Sequence, residues 1–235
     1  MPHRFYCPHL VETGTVTLTE TEAHHLAHVL RHQPGDLVEL FSGGGLVASC
    51  KVAVVHKRDV ELEVLSARQD SPSKTVLTLA TAVPKGDRFD WLIEKATELG
   101  VSRLIPITTT RSVVDPRDSK LEKLRQTVIT ACKQSGRNHL MSISAVTPWN
   151  EFRQKAASDQ QVLIAHPKGE SLNSIFPSIS TSEARPMVIA IGPEGGFSDE
   201  EVQSAILSGA RAIHLGPYIL RIETAAIALA ARLLL

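Results

Sequence analysis

The chain has 235 residues, 43% hydrophobic and 21% charged, enough for one large domain or for a large and a small one around a sizeable core. Lys plus Arg and Asp plus Glu stand at 25 each, so bulk charge gives no support to nucleic-acid binding. No apolar run reaches membrane-spanning length, and the opening Met-Pro-His-Arg does not read as a signal peptide. Cys7, Cys50 and Cys132 are far apart and form no CxxC, which fits reduced thiols in a cytoplasmic protein.

Residues 1–72 read as short strands around one helix. Thr15–Leu18, Leu37–Phe41, Leu46–His56 and Val60–Leu65 alternate as half-buried strands do, with Ser42-Gly43-Gly44-Gly45 as a hairpin loop. The helix, Glu20–Arg31, enters through Thr19 or Thr21 and closes before Pro34-Gly35. The pattern predicts a small β-barrel of the size of an RNA-binding module. His24, His28 and His32 fall at a spacing that shares one helical face, which raises zinc. No Cys or carboxylate completes the set and there is no HExxH, so contact with RNA or capping of the module fits better. Arg31 suits either a phosphate contact or the end of a helix.

Ser71-Pro72-Ser73-Lys74 reads as a linker, dividing the chain into 1–72 and 73–235. Beyond it strands and helices alternate: Val76–Val83, helix Asp90–Leu99 stopped by Gly100, Val101–Ile107, and helix Ser119–Ser135 with Leu121, Leu124, Val128 and Cys132 inward. Ile143–Val146, helix Trp149–Ala157, Gln161–Ala165, Met187–Ile191 and Ala212–Leu215 come next, before an Ala- and Leu-rich helix over Glu223–Leu235. This alternation predicts a mostly parallel α/β sheet. Ser198 and Glu201 form a capping box, starting a helix expected to turn Val202, Ala205, Ile206 and Leu207 inward.

Two loops carry the strongest functional signal: Ile191-Gly192-Pro193-Glu194-Gly195-Gly196-Phe197 and Leu215-Gly216-Pro217-Tyr218-Ile219-Leu220-Arg221. Each leaves the carboxyl end of a predicted strand and enters a helix, the place where α/β sheets bind ligands. Glycine lets backbone groups approach a ligand without an intervening Cβ. The spacing is neither GxGxxG nor GxxxxGK[ST], so neither phosphate motif applies. Lys85-Gly86-Asp87-Arg88 and Thr108–Ser112 lie at the same sheet end, where Asp87 suits a helix cap and Lys85 and Arg88 exceed what a cap requires. Glu94, Lys95 and Glu98 have the spacing of helical ion pairs. Between Arg103 and Arg137 eight basic residues (Arg103, Arg111, Arg117, Lys120, Lys123, Arg125, Lys133, Arg137) face only Asp115, Asp118 and Glu122. That local excess fits a phosphate-binding surface or a solvated helix face. Arg221 precedes a helix whose N-terminus electrostatically prefers an acid such as Glu223, a misplacement that points to ligand or RNA contact.

Four blocks together resemble one family: Lys85-Gly86-Asp87 with Trp91 through Val101, Cys132-Lys133-Gln134-Ser135-Gly136-Arg137, Ile191 through Phe197, and Leu215-Gly216 through Ala226. The family is the bacterial ribosomal RNA small-subunit methyltransferase E family, uridine N3 methyltransferases of the SPOUT class. The stretch from His24-His25-Leu26 to Arg31 and Gly35-Asp36 is similar to its PUA-like RNA-binding domain, and the likeness covers nearly the whole chain. It implies an α/β protein with an N-terminal PUA-like β-barrel (1–72) and a C-terminal SPOUT domain (73–235) carrying a trefoil knot. It further implies a homodimer that methylates a uridine in the decoding region of 16S rRNA, as naked RNA or in the small ribosomal subunit. Its methyl donor is S-adenosylmethionine, held by Ile191, Gly192, Pro193, Glu194, Gly195, Gly196, Leu215, Gly216, Ile219 and Leu220, with no metal. Arg221 is the candidate catalytic cation, and Glu194 a candidate proton acceptor or ligand-orienting carboxylate. Arg31, Lys85, Arg88, Arg111, Lys133 and Arg137 go to RNA phosphates or to the structure of the cleft. One departure stands out, since many members carry Arg where this chain has Tyr218.

Two readings from other classes compete. A non-catalytic RNA-binding assembly factor would bind no S-adenosylmethionine, and the paired loops argue against it. A small-molecule α/β enzyme would have no salt-sensitive affinity for ribosomal subunits, and the N-terminal module argues against that.

Overall fold

The computed structural model describes residues 2–114, 118–155, 160–175 and 186–235, with backbone only for 118–121. Asp115 and Arg117 of the basic run, the side chains of Lys120 and Leu121, and residues 156–157 of the helix expected from Trp149 lie outside the described residues. The chain forms two compact units, Met1–Pro72 with Ile129–Leu140, and Ser73–Val128 with Met141–Leu235.

The first unit is a five-stranded sheet in the order β1-β3-β4-β5-β2, built from β1 (Arg4–Tyr6), β2 (Gly14–Thr19), β3 (Leu37–Phe41), β4 (Leu46–Val55) and β5 (Asp59–Gln69). Pairing is antiparallel except between β1 and β3. Register shifts at Ser49/Cys50 and Val52/Val54 mark bulges, which curl a sheet. Alternate residues, among them Val38, Leu40, Cys50, Val52, Val60 and Leu62, close over a core shared with Phe5, Ala23 and Leu26. β1 was not expected from the sequence, because three residues are too short to show an alternation.

The expected Glu20–Arg31 helix is shorter and irregular. α1 (Glu20–His24) passes into a π-helical turn over His25–Val29, and Arg31 adopts φ 58°. His24 and His28, one turn apart, pair at 5.0 Å, while the helical segment ends at Val29 and the left-handed Arg31 places His32 beyond it. His32 Nδ1 instead meets Asp36 Oδ2 at 2.9 Å and its Nε2 meets His3 Nδ1 at 2.8 Å. The three histidines therefore do not share one helical face. Arg4 ties the unit together: it pairs with Glu39 at 2.6 Å, donates to Cys132 O and Asn138 Oδ1, and lies over the Phe41 ring.

The second unit is a seven-stranded sheet of parallel pairs: β12-β10-β11-β6-β7-β8, with β9 also paired to β7. Its strands are β6 (Leu77–Ala82), β7 (Arg103–Thr108), β8 (Ser142–Ile143), β9 (Thr147–Pro148), β10 (Gln161–Ser171), β11 (Met187–Ile191) and β12 (Arg211–His214). β6 and β11 are buried at every residue, as central strands covered on both faces must be. The helices are α2 (Arg88–Leu99), α3 (Asp118–Ser135, of which residues 129–135 are grouped with the first unit), α4 (Trp149–Lys155), α5 (Leu172–Ile175), α6 (Asp199–Leu207) and α7 (Ile222–Leu234). Leu124, Val128 and Cys132 of α3 are buried as expected, and Lys95 binds both Glu94 and Glu98 at 2.8 Å. Asp87 occupies the N-cap position of α2, yet its side chain makes no capping bond.

Three expectations are corrected. The strand expected over Ile143–Val146 is interrupted, since β8 ends at Ile143 and β9 begins at Thr147. On α6 only Val202 and Ala205 face the core with buried Glu201, while Ile206 and Leu207 are exposed, because this short helix packs a single narrow stripe. The strand expected to end at Ala165 continues to Ser171 through an irregularity. β10 pairs with β12 from Leu163 to Ala165 and again at Glu170 and Ser171, and residues 166–169 bulge between. Gly169 makes the second register possible. A Cβ there would lie 2.4 Å from the Ile213 nitrogen, so only hydrogen fits between the two backbones.

Among the described residues no helix is long and apolar enough to cross a membrane, and no group of three or more His, Cys, Asp or Glu is placed to hold a metal.

Candidate active site

Three loops at the carboxyl ends of neighbouring strands in the second unit enclose a cavity of about 560 Å³. They are the β10 bulge with His166 and Pro167, the loop Ile191–Phe197 after β11, and the segment Ile213–Ile222 leading from β12 into α7, with Ala225 and Leu229 closing the floor. Every residue assigned to the cofactor from the sequence, and both Arg221 and Glu194, line this one space.

The β11 loop is held from several directions. Gly196 adopts φ 70°, which glycine takes without strain, and its N–H donates to Pro193 O at 2.8 Å. Gly192 lies against Phe197, whose ring packs on Trp149 at 4.7 Å. The capping box forms: Ser198 N donates to Glu201 Oε2 at 2.8 Å and Glu201 N donates to Ser198 Oγ at 3.2 Å. Glu201 goes further than a cap. Its Oε1 accepts from Thr110 N at 2.9 Å and Thr110 Oγ1 at 3.1 Å, pinning the loop after β7 to the start of α6. From that same loop Arg111 donates to Gly195 O at 2.7 Å and Phe197 O at 3.4 Å, which gives this cation a loop-holding role.

On the third loop, Gly216 N donates to His214 Nδ1 at 3.1 Å, fixing where the chain leaves β12. Arg221 is the extended N-cap residue of α7, exposed at the cavity wall. Two residues on, Glu223 is buried with Oε1 at 3.7 Å from Arg88, and its Oε2 has no partner. Arg88 also donates from Nε to Lys85 O at 3.2 Å, so it joins the starts of α2 and α7; Lys85 itself is exposed.

The bulge supplies a residue that the sequence does not single out. His166 lines the cavity, and its Nδ1 accepts from Lys168 N at 3.3 Å. Burial, then nearby Lys168, push its pKa below the ordinary histidine value against the opposite pull of Asp199. A neutral ring whose Nδ1 accepts carries its proton on Nε2, so His166 is a hydrogen-bond donor there. No local signal marks it, because the bulge is defined only by pairing with β12.

Arg31, Lys133 and Arg137 belong to the first unit. Lys133 is held internally, 2.9 Å from Glu22 Oε2 and 5.3 Å from the Phe5 ring centre. Burial lowers the Arg137 pKa from its usual value, with Cys132 opposing.

A family model described as an RNA methyltransferase domain matches residues 71–234, and one described as an RNA methyltransferase PUA domain matches residues 18–65. Proteins named ribosomal RNA small subunit methyltransferase E from Synechocystis and Bacillus subtilis are 34% and 33% identical, over 93% and 91% of this chain and 72% and 87% of theirs. The crystal structure of such a protein from Neisseria gonorrhoeae, bound to S-adenosyl methionine, superposes with a TM-score of 0.88 at 33% identity, covering 99% of this chain and 96% of that one. The chain thus belongs to the ribosomal RNA small subunit methyltransferase E family, with a PUA-type N-terminal unit and a SPOUT-class α/β domain.

Proposed function

We propose that the three-loop cavity binds S-adenosylmethionine and that the protein methylates N3 of a uridine in the decoding region of 16S rRNA. One observation carries the reading: every residue assigned to the cofactor from the two glycine loops, with Arg221, converges on a single cavity of about 560 Å³, within the usual range for small-molecule sites, in a fold shared with a relative bound to that molecule. The lining fits the group. Backbone at Gly192, Gly196, Leu215 and Leu220 offers hydrogen-bonding groups to its polar parts, while Ile191, Ala225 and Leu229 present apolar surface.

When bound, S-adenosylmethionine supplies a methyl group activated by its positively charged sulfur. The protein's task is to make uracil N3 nucleophilic. N3 must lose its proton, and the resulting charge spreads over O2 and O4. Arg221 stabilises that charge as a preorganised cation. Glu194 receives the proton or orients the ligand. The base leaves its stack to reach the cavity. Arg31, Lys85 and Arg137 contribute contacts to RNA phosphates, whereas Arg88, Arg111 and Lys133 serve mainly their contacts within the protein.

Three further parts belong to the same reading: a trefoil knot, a homodimer and a cytoplasmic place of work. The likeness to this family supports the knot, and the strand order, with β10 between β11 and β12, is compatible with it. The exposed Ile219 of the third loop supports the dimer.

Calorimetric titration with S-adenosylmethionine tests the site, using wild type and Gly196→Arg, which forces a long side chain into the cavity at a positive φ. Wild-type binding lost in the variant is expected. Equal binding by both refutes the placement.

A further inference from the structure

We infer that Tyr218 is the stacking platform on which the methyl-accepting base rests as it enters the cavity, acting as a positioning residue beside Arg221; this rests on the proposed methyl transfer to a uridine. The chain is poor in aromatics, at 4% of residues, and most of the described ones are buried, with Trp91 on α2 44% exposed. Its other tyrosine, Tyr6, is half-buried against Phe41 with ring centres 5.6 Å apart. Phe197, which also lines the cavity, is buried against Trp149. Tyr218 differs from the buried aromatics by its exposure and from Trp91 by its place at the cavity. It lines the cavity yet remains 83% exposed.

An aromatic ring left in water forgoes the burial that normally holds such residues inside, so its placement asks for a binding partner. The loop around it is constrained. Gly216 N is bonded to His214, Pro217 fixes the backbone φ just before the ring, and three residues later Arg221 occupies the N-cap position of α7. A flat apolar face is thereby held at the cavity rim on the same short segment as a cation. That pairing matches one chemical class, an unstacked pyrimidine base: its ring covers an aromatic face, and its carbonyl oxygens accept from a guanidinium. A stack by itself accepts any base. The arrangement therefore divides the work, with Tyr218 holding the base in plane and Arg221 reading its oxygens.

The experiment compares Tyr218→Phe, Tyr218→Leu and Tyr218→Ala with wild type in methyl transfer to small ribosomal subunits purified without the modification. Calorimetry with S-adenosylmethionine and sedimentation accompany each variant. Base–aromatic stacking measured by alanine substitution corresponds to a fall in kcat/KM of roughly 10–100-fold for Tyr218→Ala. Leu, apolar but not flat, should fall nearly as far, while Phe, which keeps the ring, recovers most of the activity. Cofactor affinity and sedimentation should stay at wild-type values. Three results overturn the inference: full activity in Tyr218→Ala; Leu as good as Phe, which shows a mere apolar contact; or an Ala variant that sediments as a smaller species, which makes the ring an interface residue. A wild-type protein that transfers no methyl group refutes the reading of the site and this inference with it.

Discussion

The β10 bulge makes the sharpest physical prediction. In Gly169→Ala the new methyl would sit 2.4 Å from Ile213 N, 2.5 Å from Ala212 C and 2.6 Å from Ala212 O. Favourable carbon contacts lie near 3.5 Å or beyond, so the overlap is about 1 Å. It falls on backbone rather than on a side chain that could swing away, and that backbone is paired on both sides of the bulge. Overpacking of this kind costs about 1–3 kcal/mol, and an obstacle that cannot turn aside puts the cost at the upper end, about 3 kcal/mol. For a domain of this size the shift is about 2–4 °C per kcal/mol, hence a melting temperature lowered by roughly 6–12 °C. The same displacement moves His166 and Pro167 in the cavity wall, so affinity for S-adenosylmethionine should fall even where the protein is fully folded. Differential scanning calorimetry and ligand titration read the two effects. Gly44→Ala is the control: the nearest atom is 3.8 Å away and φ is ordinary, so stability should change by less than about 1 kcal/mol. A Gly169→Ala protein that melts and binds like wild type would refute the idea that close backbone approach shapes the loop.

Glu201→Ala removes acceptors from Ser198 N, Thr110 N and Thr110 Oγ1 at a buried position, and should cost about 2–3 kcal/mol in chemical denaturation. A loss under about 0.5 kcal/mol would make the network ornamental. Arg111→Ala frees Gly195 O and Phe197 O and should weaken S-adenosylmethionine binding about 10-fold, the worth of one charge-assisted hydrogen bond, while leaving the salt dependence of subunit binding unchanged. A shallower salt slope with intact cofactor affinity would instead make Arg111 a phosphate contact. Burial holds the pKa of both His25 and His166 below the ordinary value, so each binds its proton more weakly in the folded state than in the unfolded chain. Their contribution to stability is therefore full above about pH 6.5 and is lost as pH falls through their folded pKa values. Urea midpoints at descending pH should drop, and His166→Asn should flatten that drop; an unchanged profile would remove His166 as a contributor.

Range along the chain decides how much of the structure is legible in the sequence. The capping box of Ser198 and Glu201, the fully apolar run Met187–Ile191 and the glycine loops are signals within a few residues, and all are present as read. The cavity itself was foreseeable because strand–loop–helix order alone puts both loops at one sheet end. Features set by distant pairing were not. The bulge at 166–169 exists only against β12, and the β1 strand only against β3. The π-turn after His24 escapes a period of three to four, which cannot register one extra residue. The grouping of Ile129–Leu140 with the first unit depends on contacts such as Arg4 with Cys132 O and Asn138, far apart in the chain. Ile206 and Leu207 misled because a helix's apolar residues do not all face one neighbour when the packed stripe is only a residue wide.

Methyl transfer itself is the most direct test of the proposed activity. Small ribosomal subunits lacking the modification are incubated with the protein and isotopically labelled S-adenosylmethionine, and the 16S rRNA is digested to nucleosides for mass spectrometry. The expected product is labelled 3-methyluridine from a single decoding-region site, abolished by Gly196→Arg and strongly reduced by Arg221→Ala. Label on a ribose or on another base, or label that persists in Gly196→Arg, would contradict the proposed chemistry.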